Sequence, residues 1–127
     1  YIYEVRSIVP FINDYDKALV YYLKALDLAI SSSSVRNTGI IIYLNNRIGY
    51  IYLEKKKYSQ AIEYLESAIK MSSYNAEAYY YLGLSYDKIG DKEKAREHLS
   101  RVIELAPQSE FAQEAERKLK KINKGKD

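Results

Sequence analysis

The chain offers few side chains suited to catalysis. It contains no Cys and a single histidine, His98, so neither a Ser-His-Asp triad nor a metal cluster can be built around that residue. Glu63 and Glu66 lie three residues apart, but paired carboxylates act as acid and base only in a desolvated cleft. We predict that His98 lies on the outward surface and that both carboxylates face water. The sequence therefore predicts no enzyme activity, no cofactor and no metal.

Charge is the second property that could direct binding. The formal net charge is +3, too small to make the whole chain a nucleic-acid binder. The stretch from Arg117 to Asp127 nevertheless holds six basic residues and one acidic residue. Its lysines could contact nucleic acid or an anionic membrane surface, or they could form the solvated end of a helix, whose C-terminus favours cations. The second interpretation is favoured, because no aromatic residue interleaves with these lysines: Lys118, Lys120, Lys121, Lys124 and Lys126.

Targeting signals are not evident in the sequence. The longest apolar run, Ile40–Leu44, is far below the roughly 18 residues of a membrane span. No charged and then apolar signal segment opens the chain. The absence of Cys fits a reducing cytoplasm, and a bacterial envelope location is also compatible. Because the only Met is Met71, we expect the chain to be part of a longer protein.

The elements that position these groups recur at a fixed interval of 34 residues. Gly49 and Gly83 are one such pair, and the same shift relates these further pairs: Ile48 and Leu82, Tyr52 and Tyr86, Ala61 and Ala95, Leu65 and Leu99. An upstream copy, shifted by 43 residues from the second, is marked by Tyr15, Ala18, Tyr21 and Ala25. Internal repeats of this length indicate a repeat architecture.

Within each copy the apolar residues follow a helical spacing, interrupted once by a turn. Gly90 is suited to end one helix and Asp91 to cap the next. Asn75 and Ser109 are further candidate N-caps, and Asp14 is expected to cap a helix that runs to about residue 30. The repeating unit is therefore predicted to be a helical hairpin.

The copy that begins at Ala76 resembles the tetratricopeptide repeat, whose signature it matches throughout: Tyr79, Leu82, Gly83, Tyr86, Ala95, Leu99, Val102 and Pro107. The resemblance implies an all-α fold, a right-handed α-α superhelix of about three helical hairpins with a C-terminal capping helix. The physics agrees, because glycine and alanine let two helices approach closely and a lone hairpin cannot bury its apolar face.

The resemblance also implies one domain that covers residues 1–127. Residues 1–30 form a degenerate first repeat, in which Arg6 stands where Gly is expected. The remaining divisions are a loop and helix start at 31–41, repeats at 42–75 and 76–109, a capping helix at 110–123 and a basic tail at 124–127. The segment Tyr43–Gly49 further resembles a variant common in bacterial members.

In this family the first helices of the hairpins line a concave groove. The positions carried over to this chain are Tyr43, Asn46, Arg47, Tyr50, Leu53, Glu54, Glu77, Tyr80, Tyr81, Leu84, Asp87 and Lys88. Tyr80 stands at the groove position equivalent to Asn46, so we expect it to face Tyr43 and Tyr50 across neighbouring repeats. Tyrosines suit a binding surface, because each offers a large contact area with a polar tip. Chaperone-binding members grip a terminal carboxylate with Lys and Asn at groove positions. Here Asn46 and Tyr50 stand at two of those positions, and Glu77 and Tyr81 at two others. The clamp is therefore absent, and an EEVD-like ligand is not expected.

The predicted function is a protein–protein interaction scaffold that holds a peptide or helix of a partner protein in this groove. Two alternatives remain open. One is an oligomerisation module, and the other is binding of an anionic surface through the basic tail. A small-molecule substrate is not expected.

Overall fold

The computed structural model describes residues 9–32 and 37–125, with side chains described from Asp14 onward. This part of the chain is all-helical, which confirms the predicted fold class. The helices are α1 (Val9–Ser31), α2 (Thr38–Glu54), α3 (Tyr58–Met71), α4 (Ala76–Lys88), α5 (Lys92–Leu105) and α6 (Glu110–Gly125).

Each helix packs against the next one along the chain, and α2 also contacts α4, as α4 contacts α6. The helices α2, α4 and α6 therefore form one layer, and α1, α3 and α5 form the other. This is the arrangement expected of stacked hairpins, because each pair buries its apolar face only against its neighbours.

Short side chains begin the later helices. The side-chain oxygens of Asn75, Asp91 and Ser109 accept the backbone N–H three residues on, at 3.2, 3.1 and 3.1 Å, as predicted for N-caps. Gly90 has a φ of +93°, a backbone conformation that L side chains rarely adopt. The turn between α4 and α5 therefore favours glycine at this position.

The first helix differs from the prediction. It begins at Val9, so Asp14 lies inside the helix and is not its N-cap. Pro10 is compatible with this earlier start, because a proline in the first turn lacks an N–H that would have no partner there. Arg6 lies outside the described residues.

The core rests on glycine and leucine at matched positions of consecutive hairpins. A Cβ placed on Gly49 would lie 2.5 Å from Cγ of Leu65, and one on Gly83 would lie 2.6 Å from Cγ of Leu99. Both leucines are fully buried. The two helices of each hairpin therefore approach at a distance that only glycine permits.

The last helix closes the stack. Ala112, Ala115 and Ile122 are buried against α5, with Phe111 and Leu119 packed at the edge of the same core. The charged residues of α6 lie on its outer side, as predicted for a capping helix. The helix continues to Gly125, so Lys124 belongs to its last turn.

Candidate functional site

Five aromatic rings form a continuous series across α1, α2, α4 and α6, and we call this series the aromatic ladder. Ring centroids are 6.4 Å apart for Tyr15 and Tyr50, and 5.1 Å apart for Tyr50 and Tyr81. Tyr80 lies 5.7 Å from Tyr81 and 5.4 Å from Phe111. These separations are typical of favourable aromatic pairs. All five rings remain partly exposed, so the ladder presents an apolar surface to solvent.

Contacts between neighbouring hairpins are offset from the repeat period. Arg47 contacts Glu77, and Tyr50 contacts Tyr81. These two residues of α2 therefore contact residues that lie 30 and 31 positions further along the chain. Tyr80 and Tyr81 meet Phe111 at the same two offsets. A displacement of three or four residues is about one helical turn. The consecutive groove helices are therefore shifted by about one turn along their axes.

The ring that contacts Tyr50 follows from this shift. The sequence interpretation placed Tyr80 opposite Tyr50, but the ring that contacts Tyr50 is that of Tyr81. Tyr80 packs instead between Tyr81 and Phe111. Tyr80 and Tyr81 lie 30 and 31 residues after Tyr50, so both fall at the offsets of these contacts, and the facing of Tyr80 towards Tyr43 and Tyr50 across the groove stays a prediction.

Polar groups hold the centre of the ladder in place. The Arg47 guanidinium lies 3.8 Å from the Glu77 carboxylate and 5.0 Å from the Tyr50 ring centroid, a geometry that suits a cation–π contact. The Tyr81 hydroxyl donates to Glu77 at 3.2 Å. Burial, followed by the charge and hydrogen bond of Glu77, raises the pKa of Tyr81. Its hydroxyl therefore stays protonated and keeps this hydrogen bond at neutral pH.

The other end of the ladder carries a second hydroxyl pair. The Tyr15 and Tyr50 hydroxyl oxygens are 3.5 Å apart. This hydrogen bond, together with burial, raises the pKa of Tyr15 to about 12. Tyr15 and Phe111 are not among the predicted groove positions, so the ladder contains two residues that the groove prediction missed.

Asn46 lies beside the ladder on α2 with its side chain almost fully buried, at 7% exposure. Its Oδ1 has no hydrogen-bond partner among the described residues. The neighbouring Asn45 differs, because its amide nitrogen donates to the Ile41 carbonyl at 3.0 Å. A buried amide oxygen without a partner costs stability.

The groove ends in two small clefts of about 280 and 250 Å³. Both are lined by Leu84 and Lys118. The remaining lining residues are Leu53, Glu54, Lys56, Tyr58 and Lys88 in the first cleft, and Tyr80, Glu114, Arg117 and Lys121 in the second. Lysine and arginine outnumber glutamate here, so this end of the groove is basic.

Two predicted groove residues have local partners. The Asp87 carboxylate pairs with Lys92 and lies 3.7 Å from Nζ of Lys118. Tyr43 is 55% exposed, and its ring contacts Tyr22 of α1 at 6.5 Å. A hydrogen bond with Tyr22 raises the pKa of Tyr43. Tyr43 therefore lies at the α1–α2 edge, with its ring paired outside the ladder.

The prediction that His98 is a surface residue was wrong. His98 is 7% exposed, and its ring stacks on Tyr86 at 5.3 Å and lies 5.8 Å from Tyr79. A 34-residue shift relates Tyr86 and His98 to Tyr52 and Tyr64, whose rings stack at 5.7 Å. The repeat alignment therefore contained the signal that His98 occupies a packing position.

The groups considered for catalysis are separated in the structure. Glu66 accepts a hydrogen bond from the Tyr86 hydroxyl at 2.8 Å, and Glu63 is exposed. Within residues 9–32 and 37–125 no three His, Cys, Asp or Glu side chains are grouped so that they could hold a metal ion. In the same ranges, none of the helices has both the length and the apolar character of a membrane span.

Stacked helical hairpins with a partly exposed aromatic face define the chain as a helical-repeat solenoid. The family model of the tetratricopeptide repeat matches residues 52–120, more than half of the chain. The chain therefore belongs to the tetratricopeptide repeat family. It is 32% identical over 91 residues to human intraflagellar transport protein 88 homolog, a match that covers 72% of the chain and 10% of that protein.

Solved structures show the same fold. The C-terminal tetratricopeptide-repeat domain of a Plasmodium falciparum FK506-binding protein is 27% identical, with a TM-score of 0.72, over 88% of the chain and 82% of that domain. MamA from Desulfovibrio magneticus is 26% identical, with a TM-score of 0.75, over 98% of the chain and 64% of the MamA chain. These relatives confirm the right-handed superhelix, and the likeness is not confined to bacteria.

A third structure shows a bound ligand. The first tetratricopeptide-repeat domain of Spaghetti (RPAP3), bound to the HSP90 peptide SRMEEVD, is 25% identical, with a TM-score of 0.73, over 89% of the chain and 82% of that domain. These relatives support protein–protein interaction as the general function of the fold. The chain spans about a tenth of the length of the human relative.

Proposed function

We propose that the chain binds a segment of a partner protein along the aromatic ladder. The observation that carries this proposal is the unbroken series of ring contacts from Tyr15 to Phe111, formed by partly exposed rings on four helices. Tyrosine rings are common anchors in interfaces, because they bury much apolar area at a small entropic cost. The module acts by binding and needs no catalytic group.

The groove also defines the chemistry of a suitable segment. Apolar side chains fit against the partly exposed rings. The basic end of the groove, with Lys88 and Lys121, suits an acidic residue at one end of the segment. The predicted groove positions Tyr43, Arg47, Glu54, Glu77, Leu84 and Asp87 surround or border this path.

A chaperone-type C-terminal peptide is not the proposed ligand. Glu77 and Tyr81 stand at two positions where such family members use cationic or amide side chains, and the Glu77 carboxylate would repel a terminal carboxylate. The alternative of an anionic surface bound by the tail is weakened, because Arg117 pairs with Glu114 and Lys118 lies near Asp87. Part of the tail's charge is therefore used within the fold.

A library of displayed random peptides is selected for binding to the immobilised protein, and this selection supplies a ligand for the test. The selected peptide, labelled with fluorescein, is titrated by anisotropy against wild type, Tyr50→Ala and Tyr74→Ala. Tyr74 is the matched control, since it is 80% exposed in the turn between α3 and α4. Tyr50→Ala should weaken the Kd at least about fivefold, as expected when an interface tyrosine contributes more than about 1 kcal/mol.

Tyr74→Ala should leave the Kd unchanged, and circular dichroism should show the same helicity for all three proteins. The ladder would be excluded as the binding surface if Tyr74→Ala weakened binding and Tyr50→Ala did not. His98→Ala is unsuitable as a control because His98 is buried between rings.

A further inference from the structure

A further cleft, separate from the two groove clefts, lies between α1, α2 and α3. It shares no lining residue with the ladder. Its volume is about 550 Å³, larger than either groove cleft. Its walls are mainly apolar, formed by Leu26, Ile30, Ile41, Tyr64 and Met71, with Asn45 at the base. An apolar cleft of this size at a surface is a candidate interaction site.

The next repeat shows what occupies the equivalent place. A 34-residue shift carries Asn45 to Tyr79 and Ser67 to Arg101. The Tyr79 ring lies 5.8 Å from the His98 ring, and the Arg101 guanidinium lies 6.0 Å from the Tyr79 centroid. An aromatic ring with a guanidinium beside it therefore occupies this position in the second full repeat.

The equivalent cleft of the next repeat, lined by Tyr79, His98 and Arg101, has a volume of about 400 Å³. The cleft of the preceding repeat is larger because both of these side chains are small there. Asn45 donates its amide to the Ile41 carbonyl one turn earlier, so its short side chain is bonded back to its own helix. Ser67 donates its hydroxyl to the Glu63 carbonyl at 3.2 Å. Neither residue fills the volume that Tyr79 and Arg101 occupy in the next hairpin.

Apolar surface continues from the cleft onto its lips. Ile30 is 57% exposed and Met71 is 41% exposed, although both line the cleft. Covering these exposed apolar side chains removes apolar surface from water, which favours binding. A ligand that fills the cleft with one side chain can cover the exposed lips only if it extends in both directions from that side chain. A segment of a protein does so through its flanking residues.

We propose that this cleft is a second binding site, which accepts an aromatic side chain of a partner protein in the place that Tyr79 takes in the next repeat. The charges at the rim define the flanking residues. Glu63 and Lys70 line the cleft. The next repeat has Glu97 and Glu104 at these two positions, and there the Arg101 guanidinium lies 3.1 Å from the Glu104 carboxylate. A basic residue beside the aromatic residue would pair with Glu63, and an acidic residue with Lys70.

The blocked tripeptide Ac-Ala-Tyr-Ala-NH2 is the probe, with Ac-Ala-Ala-Ala-NH2 as its matched control. Met71 is the only methionine, so its methyl resonance reports on the cleft without ambiguity. The tyrosine peptide should shift this resonance saturably, and the alanine peptide should bind at least about tenfold more weakly. Equal effects of the two peptides, or no shift, would overturn the proposal.

Two variants test the place of binding. Asn45→Tyr with Ser67→Arg rebuilds the pair of the next repeat, so it should raise the Tm and abolish the shift caused by the tyrosine peptide. Ile30→Lys alters an exposed lip, where folding should be unaffected, and should weaken the same response. A response unchanged by both variants would place the peptide elsewhere and refute the site.

Sedimentation of the free protein distinguishes a second copy from a partner protein. We expect a monomer at all concentrations, with an unchanged Met71 resonance. A dimer that Asn45→Tyr dissolves would assign the cleft to a second copy of this chain and overturn the assignment to a partner protein.

Discussion

Gly83 provides a sharp test of the close helix contact on which the fold depends. In Gly83→Ala the new Cβ would lie 2.6 Å from both Cγ and Cδ2 of Leu99, and 3.4 Å from the Ala95 carbonyl oxygen. Leu99 is fully buried, so it cannot move into solvent to relieve the clash. Overpacking of this kind costs about 1–3 kcal/mol, while alanine gains up to about 1 kcal/mol of helix propensity.

Gly39→Ala is the control, because Gly39 is also helical and a Cβ there would meet none of the described residues within 4 Å. Gly39 lies in the first turn of α2 and Gly83 in the interior of α4, so alanine gains no more helix propensity at 39 than at 83, and the difference between the variants is a lower bound on the cost of the clash. Gly83→Ala should unfold with a free energy about 1–3 kcal/mol lower than Gly39→Ala. For a chain of this length that difference corresponds to roughly 4 °C in Tm per kcal/mol.

Urea denaturation followed by circular dichroism measures the free energy of unfolding for each variant. A double-mutant cycle with Leu99→Ala adds the decisive comparison, since the contacting atoms are then absent. Leu99→Ala alone should cost about 2–5 kcal/mol, but in its background Gly83→Ala should be neutral or stabilising. If Gly83→Ala destabilised equally in both backgrounds, Leu99 would not be the cause and the close-contact argument would fail.

Two further predictions concern polar groups in and beside the aromatic ladder. Asn46→Leu should raise the free energy of unfolding by about 1–3 kcal/mol, because it removes a buried oxygen that lacks a partner among the described residues; a lower value in urea denaturation would show that the amide is satisfied. Tyr15 holds its proton more tightly in the folded state, with a pKa of about 12, than an unfolded tyrosine near 10. Its contribution to stability is therefore present below pH 10 and lost between pH 10 and 12, so Tyr15→Phe should lose less Tm than wild type across that range. Parallel losses in the two proteins would contradict the role of this hydroxyl.

The helical hairpin that repeats along the chain could be predicted from the amino-acid sequence alone. Glycine, alanine and leucine at a 34-residue interval specify how two helices of a hairpin meet, because that contact depends on side-chain size at positions close in the chain. Gly49 with Leu65 and Gly83 with Leu99 meet as this pattern requires. The caps at Asn75, Asp91 and Ser109 were also predictable, since capping is a local hydrogen bond.

Some features were present in the sequence but were not recognised. The repeat alignment relates His98 to Tyr64, and both rings stack on the equivalent tyrosine of their own hairpin. Asn45 stands where the next repeat has the aromatic Tyr79, but the size of the cleft beside it depends also on Ser67 and on the apolar residues of α1.

The contacts between groove residues of neighbouring helices depend on the tertiary structure. The shift of about one turn between α2 and α4 brings Tyr50 to Tyr81 and Arg47 to Glu77, whereas the repeat period alone pairs equivalent positions. The same shift brings Tyr80 and Tyr81 to Phe111 and so extends the aromatic ladder onto α6. The repeat period defines positions along each helix. The translation between helices is set by how their side chains interdigitate, which depends on all the facing residues at once.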